Sequence, residues 1–239
     1  RELNQRQLTV IAGFIFQPLH EPALEKQVLE IAKQTCALLS RVGAQHLVLI
    51  DHISDERMSS AGNQSKAVPL DSGRQRFMID LIQQLGGIAK GRGIVPVLHQ
   101  HAGSYLEFED EIEQVLSQLD PEPIGICIDT GHMAYAGIDA VKFYQRHQER
   151  VKYFHFKDID PAIHRRVVET GVPFLEAVSQ HIFSPLGRGV TDWPALRKAL
   201  AQSRFEGYAT IEQDVDPGNP TDPLSDARAS LHYLRSIGF

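Results

Sequence analysis

Cysteine is nearly absent from this 239-residue chain: Cys36 and Cys127 are the only two, each inside an apolar run and without paired spacing. A disulfide framework and a thiolate metal site therefore have no support, and both residues read as buried, reduced thiols of a cytoplasmic protein. No stretch approaches the ~20 apolar residues that cross a bilayer, and no basic-then-apolar leader precedes the first strand pattern. Positive charge is sparse as well. Lys and Arg number 24 against 30 Asp and Glu, the formal net charge is −6, and no basic run exceeds two residues, as at Arg165-Arg166. Neutralising a phosphate backbone takes a positive stripe, so neither a nucleic acid nor a membrane is an expected partner. The G-x-G-x-x-G turn of dinucleotide-binding sheets is also missing, which counts against an open doubly wound sheet.

What is present is an alternation of short apolar runs with longer amphipathic ones. Strands are expected over 8–16, 46–50, 94–98, 124–128, 151–156 and 207–211, and helices over 22–41, 71–90, 107–118, 138–147, 191–202 and 222–236. In the first long helix, Leu24, Val28, Ile31, Thr35 and Leu38 fall on one face and Gly43 marks its end. In the next two, Phe77, Leu81, Leu85 and Ile88, then Phe108, Ile112, Val115, Leu116 and Leu119, form the inner stripes. Residues 54–70 read as a polar loop, and 158–190 as a long connection with one short helix near 172–181. Apolar strands alternating with helices imply a parallel sheet covered on its faces, an α/β fold of the (β/α)8 TIM-barrel type spanning 1–239 as a single domain. Six strands are visible where a closed barrel has eight. The chain opens on Arg1, and Arg1 to Gln7 looks like the end of a helix, so two strand–helix units are expected to be missing from its start.

In a parallel barrel every strand's C-terminal end opens onto one face, where active sites sit. Those ends carry His99 and His101, Asp129 and His132, His155, Lys157 and Asp158, and Glu212. Taken singly, each has a plainer reading. Asp129-Thr130-Gly131 is also a helix N-cap, His155 between Phe154 and Phe156 a core histidine, and Glu212 a solvated loop charge. Four strands delivering metal-capable groups to one rim outweigh those readings together, and imidazole with carboxylate suits Mn, Co, Fe or Zn. His99 and His101 are two apart and point one way. His20 and His52 could line the same rim. His46, His147, His164, His181 and His232 read as solvated surface. Trp193 and Pro194 read as a helix start with a packing aromatic, and Arg188 as a group that could reach substrate oxygens.

The segments HQHAGSY at 99–105, GICIDTGHMAYAG at 125–137, YFHFKD at 153–158, SPLGRGVTDW at 184–193 and ATIEQD at 209–214 together resemble the sugar-phosphate isomerase/epimerase superfamily of xylose-isomerase-like barrels. Within it they look most like the inosose (2-keto-myo-inositol) dehydratases. The resemblance implies a divalent metal, Mn or Co with Zn, Mg or Fe as alternatives, held by Asp129, His155, Glu212 and either His99 or His101. It implies a substrate contact from His132; catalytic roles are expected for Glu212, His99, His132 and Lys157, and further substrate contacts from His101, Lys157 and Arg188. Epimerases of the superfamily usually carry a Glu where this chain has His99, so the His favours dehydration over a two-carboxylate epimerisation. The expected activity is a carbon–oxygen lyase removing water from a cyclic polyol ketone, 2-keto-myo-inositol, through an enolate. A sugar or keto-inositol isomerase or epimerase with the same metal site is the alternative. A small polyol or sugar is the expected partner, and assembly as a homo-oligomer is compatible with the sequence.

Overall fold

A computed structural model describes residues 2–120, 122–219 and 221–239. A short helix α1 (Glu2–Gln5) leads into β1 (Ala12–Gln17), α2 (Glu25–Val42), β2 (His46–Asp51), a single turn α3 (Asp55–Met58), α4 (Ser72–Lys90) and β3 (Val95–His99). Then come α5 (Glu109–Gln118), β4 (Gly125–Asp129), α6 (Thr130–Tyr135), α7 (Ala140–His147) and β5 (Val151–Phe156). The chain closes with β6 (Asp158–Ile159), α8 (Pro161–Thr170), α9 (Phe174–Ser179), β7 (Phe183–Ser184), α10 (Trp193–Ser203), β8 (Tyr208–Ile211) and α11 (Pro223–Ser236). The strands form one parallel sheet in the order β1-β2-β3-β4-β5-β8, with β1 and β8 at its ends.

The two faces of the curled sheet differ in chemistry. Leu47, Leu49, Leu98, Ile126, Ile128, Phe154 and Phe156 face the helices and join the main core with Met78, Leu81, Leu85, Ile112, Val115, Trp193 and Leu196. The inner face carries a small apolar floor of Val48, Ile50, Val97, Cys127 and Tyr153, and the site residues lie above it. One register shift matters here. Ile126 pairs with Val151 but Cys127 pairs with Tyr153, so Lys152 is skipped and Asp129 comes to face His155. A bulge of this kind flips the phase of one strand against its neighbour, and it brings an inward His opposite an inward Asp.

Helix ends follow local rules. Asp71, Asp139, Asp160, Asp192 and Asp222 cap α4, α7, α8, α10 and α11 by accepting backbone N–H bonds. Gly43 ends α2 in the left-handed conformation at φ 73°. The buried face of α2 is Val28, Ala32, Cys36 and Leu39; of the expected stripe Val28 is buried, Leu24, Ile31 and Thr35 are half-buried, and Leu38 is 58% exposed. Small Ala32 and Cys36 let the helix lie close to the sheet, which rotates Leu38 outward. The loop 54–70 contains α3, and its Arg57 is fully buried between a bidentate Glu111 carboxylate (2.5 and 3.0 Å) and the rings of Tyr105 and Phe108.

The connection 158–190 is more ordered than expected: it contains two helices, α8 and α9, and β6 pairs antiparallel with β7. Its organiser is Asp158. That buried carboxylate accepts the N–H of Gly187 (3.0 Å), Gly189 (3.1 Å) and Thr191 (3.1 Å) and the indole Nε1–H of Trp193 (2.9 Å). A Cβ at Gly189 would collide with the Asp158 carboxylate, so glycine is required there for the backbone to approach. Asp158→Ala strands these donors, each costing about 1–3 kcal/mol when buried and unmade. The variant should lose roughly 4 kcal/mol or more in urea unfolding, with Asp158→Asn losing less. Trp193, the single tryptophan, reports the transition by fluorescence.

Candidate active site

The inner rim gathers His99 from the end of β3, Asp129 from the end of β4, His155 from β5 and Glu212 just past β8. Asp129 uses its two oxygens differently. Oδ1 caps α6, accepting from the N–H of Gly131 (2.9 Å) and His132 (2.8 Å). Oδ2 is buried without a hydrogen bond and faces Lys157 Nζ at 3.2 Å, His99 Nε2 at 3.4 Å and His155 Nδ1 at 3.7 Å. His155 Nδ1 also lies 2.7 Å from Glu212 Oε2, yet both atoms lack a hydrogen bond. They approach without aligning.

Donors about 2.1 Å from one ion, at tetrahedral or octahedral angles, stand about 3.0–3.4 Å apart. In the His99–Asp129–His155 group, Asp129 Oδ2 stands 3.4 Å from His99 and 3.7 Å from His155, close to that spacing, and all three donors lie within 4.8 Å of one another. Buried imidazole and carboxylate atoms with unused lone pairs fit a divalent ion, and Glu212 extends the set. His101 stands apart from it. Its Nδ1–H donates to the carbonyl of Ala102 (2.8 Å), and its ring stacks at 3.9 Å on His132. The strand ends at His99, so His101 is aimed by this backbone bond and not by the pleat.

The surrounding cavity, about 380 Å³, is lined by His99, His101, His132, His155, Lys157, Glu212 and Asp214, with Phe14, Phe16 and Tyr153 as an aromatic wall and floor. Lys157 is its cation. Nζ donates to Asp214 Oδ2 and to His132 Nε2, both at 3.2 Å, and stands 3.8 Å from Glu212 Oε1. A Cβ at Gly131 would sit 2.5 Å from Lys157 Cγ, so the Gly of D-T-G-H exists to pass the lysine stem. Thr130 joins the same two segments: its hydroxyl donates to the carbonyl of Lys157 (2.6 Å) and accepts the N–H of Lys157 (2.9 Å).

Electrostatics follow from burial and these neighbours. Desolvation lowers His99, and it lowers His101 to about 3 with help from the charges of His99 and Lys157. His132 falls well below its ordinary value by burial and by the neighbouring His101 and Lys157. Against burial, Lys157 and His132 hold the Asp129 carboxyl far below the usual range. Against burial again, His155 and Lys157 bring Glu212 to about 2. Burial opposes a proton on His155, but Cys127 and the carboxylates of Asp129 and Glu212 push its pKa up. Lys157, also buried, is raised by Asp129, Asp214 and Glu212.

Other candidates lie elsewhere. Arg188 is exposed and does not line the cavity. His20 is bound to Asp51 (2.7 Å), which also accepts the N–H of Leu19 and Tyr105, and so ties the rim loops together. His52 stacks on Phe16 at 4.6 Å. His46, expected at the surface, is buried at the start of β2 and stacks on Tyr153 at 5.2 Å, because the first residue of that strand points into the sheet's concavity. His147 and His164 are likewise engaged, by Glu113 (2.7 Å) and the carbonyl of Tyr135 (2.9 Å). Asp214, which lines the cavity and binds Lys157, lies outside the set of site residues expected from the sequence. The alternation Thr210, Glu212, Asp214 was the available signal.

The sequence pattern of the family described as xylose isomerase-like TIM barrel matches residues 1–237. The chain belongs to that family. It is 30% identical to the inosose dehydratase of Geobacillus thermodenitrificans over 66% of this chain and 53% of that protein, and so spans about half of it. It is 30% identical to the inosose dehydratase of Mesomycoplasma hyopneumoniae over 99% of this chain and 78% of that protein. The fold is similar to the crystal structure of the IolI protein with a bound zinc atom, at TM-score 0.73 and 12% identity, over 99% of this chain and 79% of that one. No helix among the described residues is long and apolar enough to cross a membrane.

Metal ions compete with protons for their ligands. His99 is neutral and the two carboxylates are ionised at neutral pH, so the proton to be displaced is the one on His155. Protons grow scarcer as pH rises, so Mn(II) affinity should increase about tenfold per pH unit between pH 5 and 8. Calorimetry in buffers of different ionisation enthalpy should show about one proton released per site at pH 7. His155→Gln should remove both the release and most of the affinity.

Proposed function

We propose that residues 1–239 act as one catalytic domain of a metal-dependent dehydratase, a carbon–oxygen lyase acting on a cyclic polyol ketone, with 2-keto-myo-inositol as the substrate. The observation that carries this reading is the convergence of His99, Asp129 and His155, with Glu212 beside them, on one point of a cavity that also holds a buried lysine. The names of the two relatives support the substrate class, and the zinc of the IolI crystal supports the metal. Mn or Co suits this nitrogen and oxygen donor set, as do Zn and Fe.

His99, Asp129, His155 and Glu212 would hold the ion, which when bound supplies Lewis acidity toward the ketone and its adjacent hydroxyl. The chain's own groups manage the protons. His101 gives its Nδ1 proton to the carbonyl of Ala102, which leaves Nε2 as a lone pair facing the cavity, outside the metal group. It takes the proton α to the ketone. A neutral His132 accepts at one ring nitrogen only; with Nε2 taken by the Lys157 ammonium at 3.2 Å, the ring proton sits on Nδ1, and His132 orients the lysine. Lys157 Nζ, a buried cation, stabilises the charge that develops on oxygen and gives a proton to the β-hydroxyl, which leaves as water. The proton taken by His101 then restores the lysine, so that no net proton is gained or lost. The wall of Phe14 and Phe16 covers the apolar face of a ring and limits water.

An isomerase or epimerase would use the same enolate and keep the water. Two free carboxylates are the usual requirement of an epimerase of this superfamily. In this cavity Asp214 is taken up by Lys157 and Glu212 lies against His155. Incubation of the purified chain with 2-keto-myo-inositol and Mn(II) or Co(II) should give the dehydrated dione, and His101→Asn should lower kcat by about 10²–10⁴ while metal affinity holds. A metal-loaded protein that yields no dione would overturn the assignment. A product isomeric with the substrate would identify the isomerase.

A further inference from the structure

Lys157 and a divalent ion make claims on the same atoms. The ammonium is 3.2 Å from Asp129 Oδ2 and 3.8 Å from Glu212 Oε1, the two carboxylates of the candidate metal group. A buried lysine so placed would ordinarily close an ion pair with Asp129 and occupy the lone pairs an ion needs, because a charge removed from water takes the nearest counter-charge. Here the pair with Asp129 is close but unaligned: Asp129 Oδ2 receives no hydrogen bond at 3.2 Å, and the lysine's hydrogen bonds are directed to Asp214 Oδ2 and His132 Nε2, both at 3.2 Å. Asp214 is itself within 3.8 Å of His132 Nε2. Two groups therefore orient the ammonium from one side. The stem is fixed from the other, where Gly131 leaves room for it.

We propose that Asp214 is a positioning residue that takes the Lys157 hydrogen bond away from Asp129 and Glu212, and so leaves the lone pairs of those carboxylates open to the divalent ion. The inference rests on the metal reading above and adds a residue to it. A lysine freed from Asp214 would swing the short distance onto Asp129 and Glu212 and compete with the ion from within the protein. Asp214 thus sets metal affinity through Lys157 and not as a ligand. Its side chain is 32% exposed, so replacing it leaves the buried packing intact.

A double-mutant cycle on the full chain, stripped with chelator and titrated with Mn(II) alone, separates the possibilities. In the unaltered chain Asp214→Asn should weaken Mn(II) binding about tenfold, equivalent to ~1.4 kcal/mol. In a Lys157→Met background, where the competing cation is gone and the stem length is kept, the same change should alter binding less than about twofold. Lys157→Met alone should bind Mn(II) more tightly than the unaltered chain. Lys157→Gln serves if the Met variant does not fold, judged by circular dichroism. Equal losses from Asp214→Asn in both backgrounds would mean that Asp214 acts as a ligand or a bare charge, and would overturn the inference while leaving the metal reading intact. No effect in either background, or no tightening on loss of the lysine, would overturn it too. An unaltered chain that binds no Mn(II), Co(II) or Zn(II) would remove the metal reading itself and this inference with it.

Discussion

The carboxylate of Asp129 has two oxygens with two employments, and the rim is arranged around that division. Oδ1 accepts the first free N–H groups of α6, which fixes the rotamer at the cost of no further partner. Oδ2 is then forced inward, toward His99, His155 and Lys157. An aspartate free to rotate would relax onto the lysine. Capping prevents this, because turning the carboxylate would leave two buried N–H groups unpaired, at roughly 1–3 kcal/mol each. The helix start and the candidate metal site are therefore one interaction seen from two sides. The choice between an N-cap and a ligand, posed by the sequence, was a choice between the two oxygens of one residue.

The second constraint is charge. Three carboxylates, Asp129, Glu212 and Asp214, crowd one cavity. Burial raises the cost of each, and it raises Asp214 most plainly, since that group remains above its ordinary value despite Lys157. The histidines contribute little neutralisation: burial and mutual repulsion keep His99, His101 and His132 unprotonated. That leaves Lys157 and the proton on His155 as the cations of the site. A cavity with three acids and two cations has net negative charge to offer an ion, and exchanging the His155 proton for a divalent ion nearly balances it. Neutral imidazoles have a second consequence. They can bind metal or accept a proton from carbon without first losing one, which a surface histidine near its ordinary pKa could do only part of the time.

Much of this was legible in the chain, and the reasons are specific. Strand–helix alternation is a period signal, so the six strands appear within a few residues of their expected places and α5 buries every residue of its expected stripe. Asp129, His155 and Glu212 stand at strand ends, where parallel topology alone sends them to one rim. The rest depends on relations no linear pattern carries. The skipped residue Lys152, which brings His155 into phase with Asp129, adds no mark to the sequence of β5. The face of α2 is rotated so that Ala32, Cys36 and Leu39 join Val28 against the sheet while Leu38 turns outward, a shift that a count of large apolar residues does not show. The choice between His99 and His101 turned on where β3 stops and on one carbonyl, that of Ala102. Arg188, read as a possible substrate contact, belongs to a segment aimed outward by Asp158.

That last point joins two neighbouring residues with opposite tasks. Lys157 and Asp158 follow directly from β5, and consecutive side chains leave a strand on opposite faces. Lys157 enters the cavity, where its stem crosses Gly131 and its ammonium meets Asp214. Asp158 turns the other way and gathers the N–H groups of Gly187, Gly189 and Thr191 with the indole of Trp193, which seats the start of α10 against the barrel wall. Phe156, the last residue of β5, packs on Trp193 at 5.0 Å. The lysine is thus carried on a segment braced from behind by six hydrogen bonds and an aromatic pair, since Thr130 holds its backbone as well. Bracing of this kind is what lets a long, flexible side chain serve as a fixed charge. Only the far end of Lys157 keeps any freedom, and Asp214 is placed where that freedom would otherwise be spent on the metal ligands.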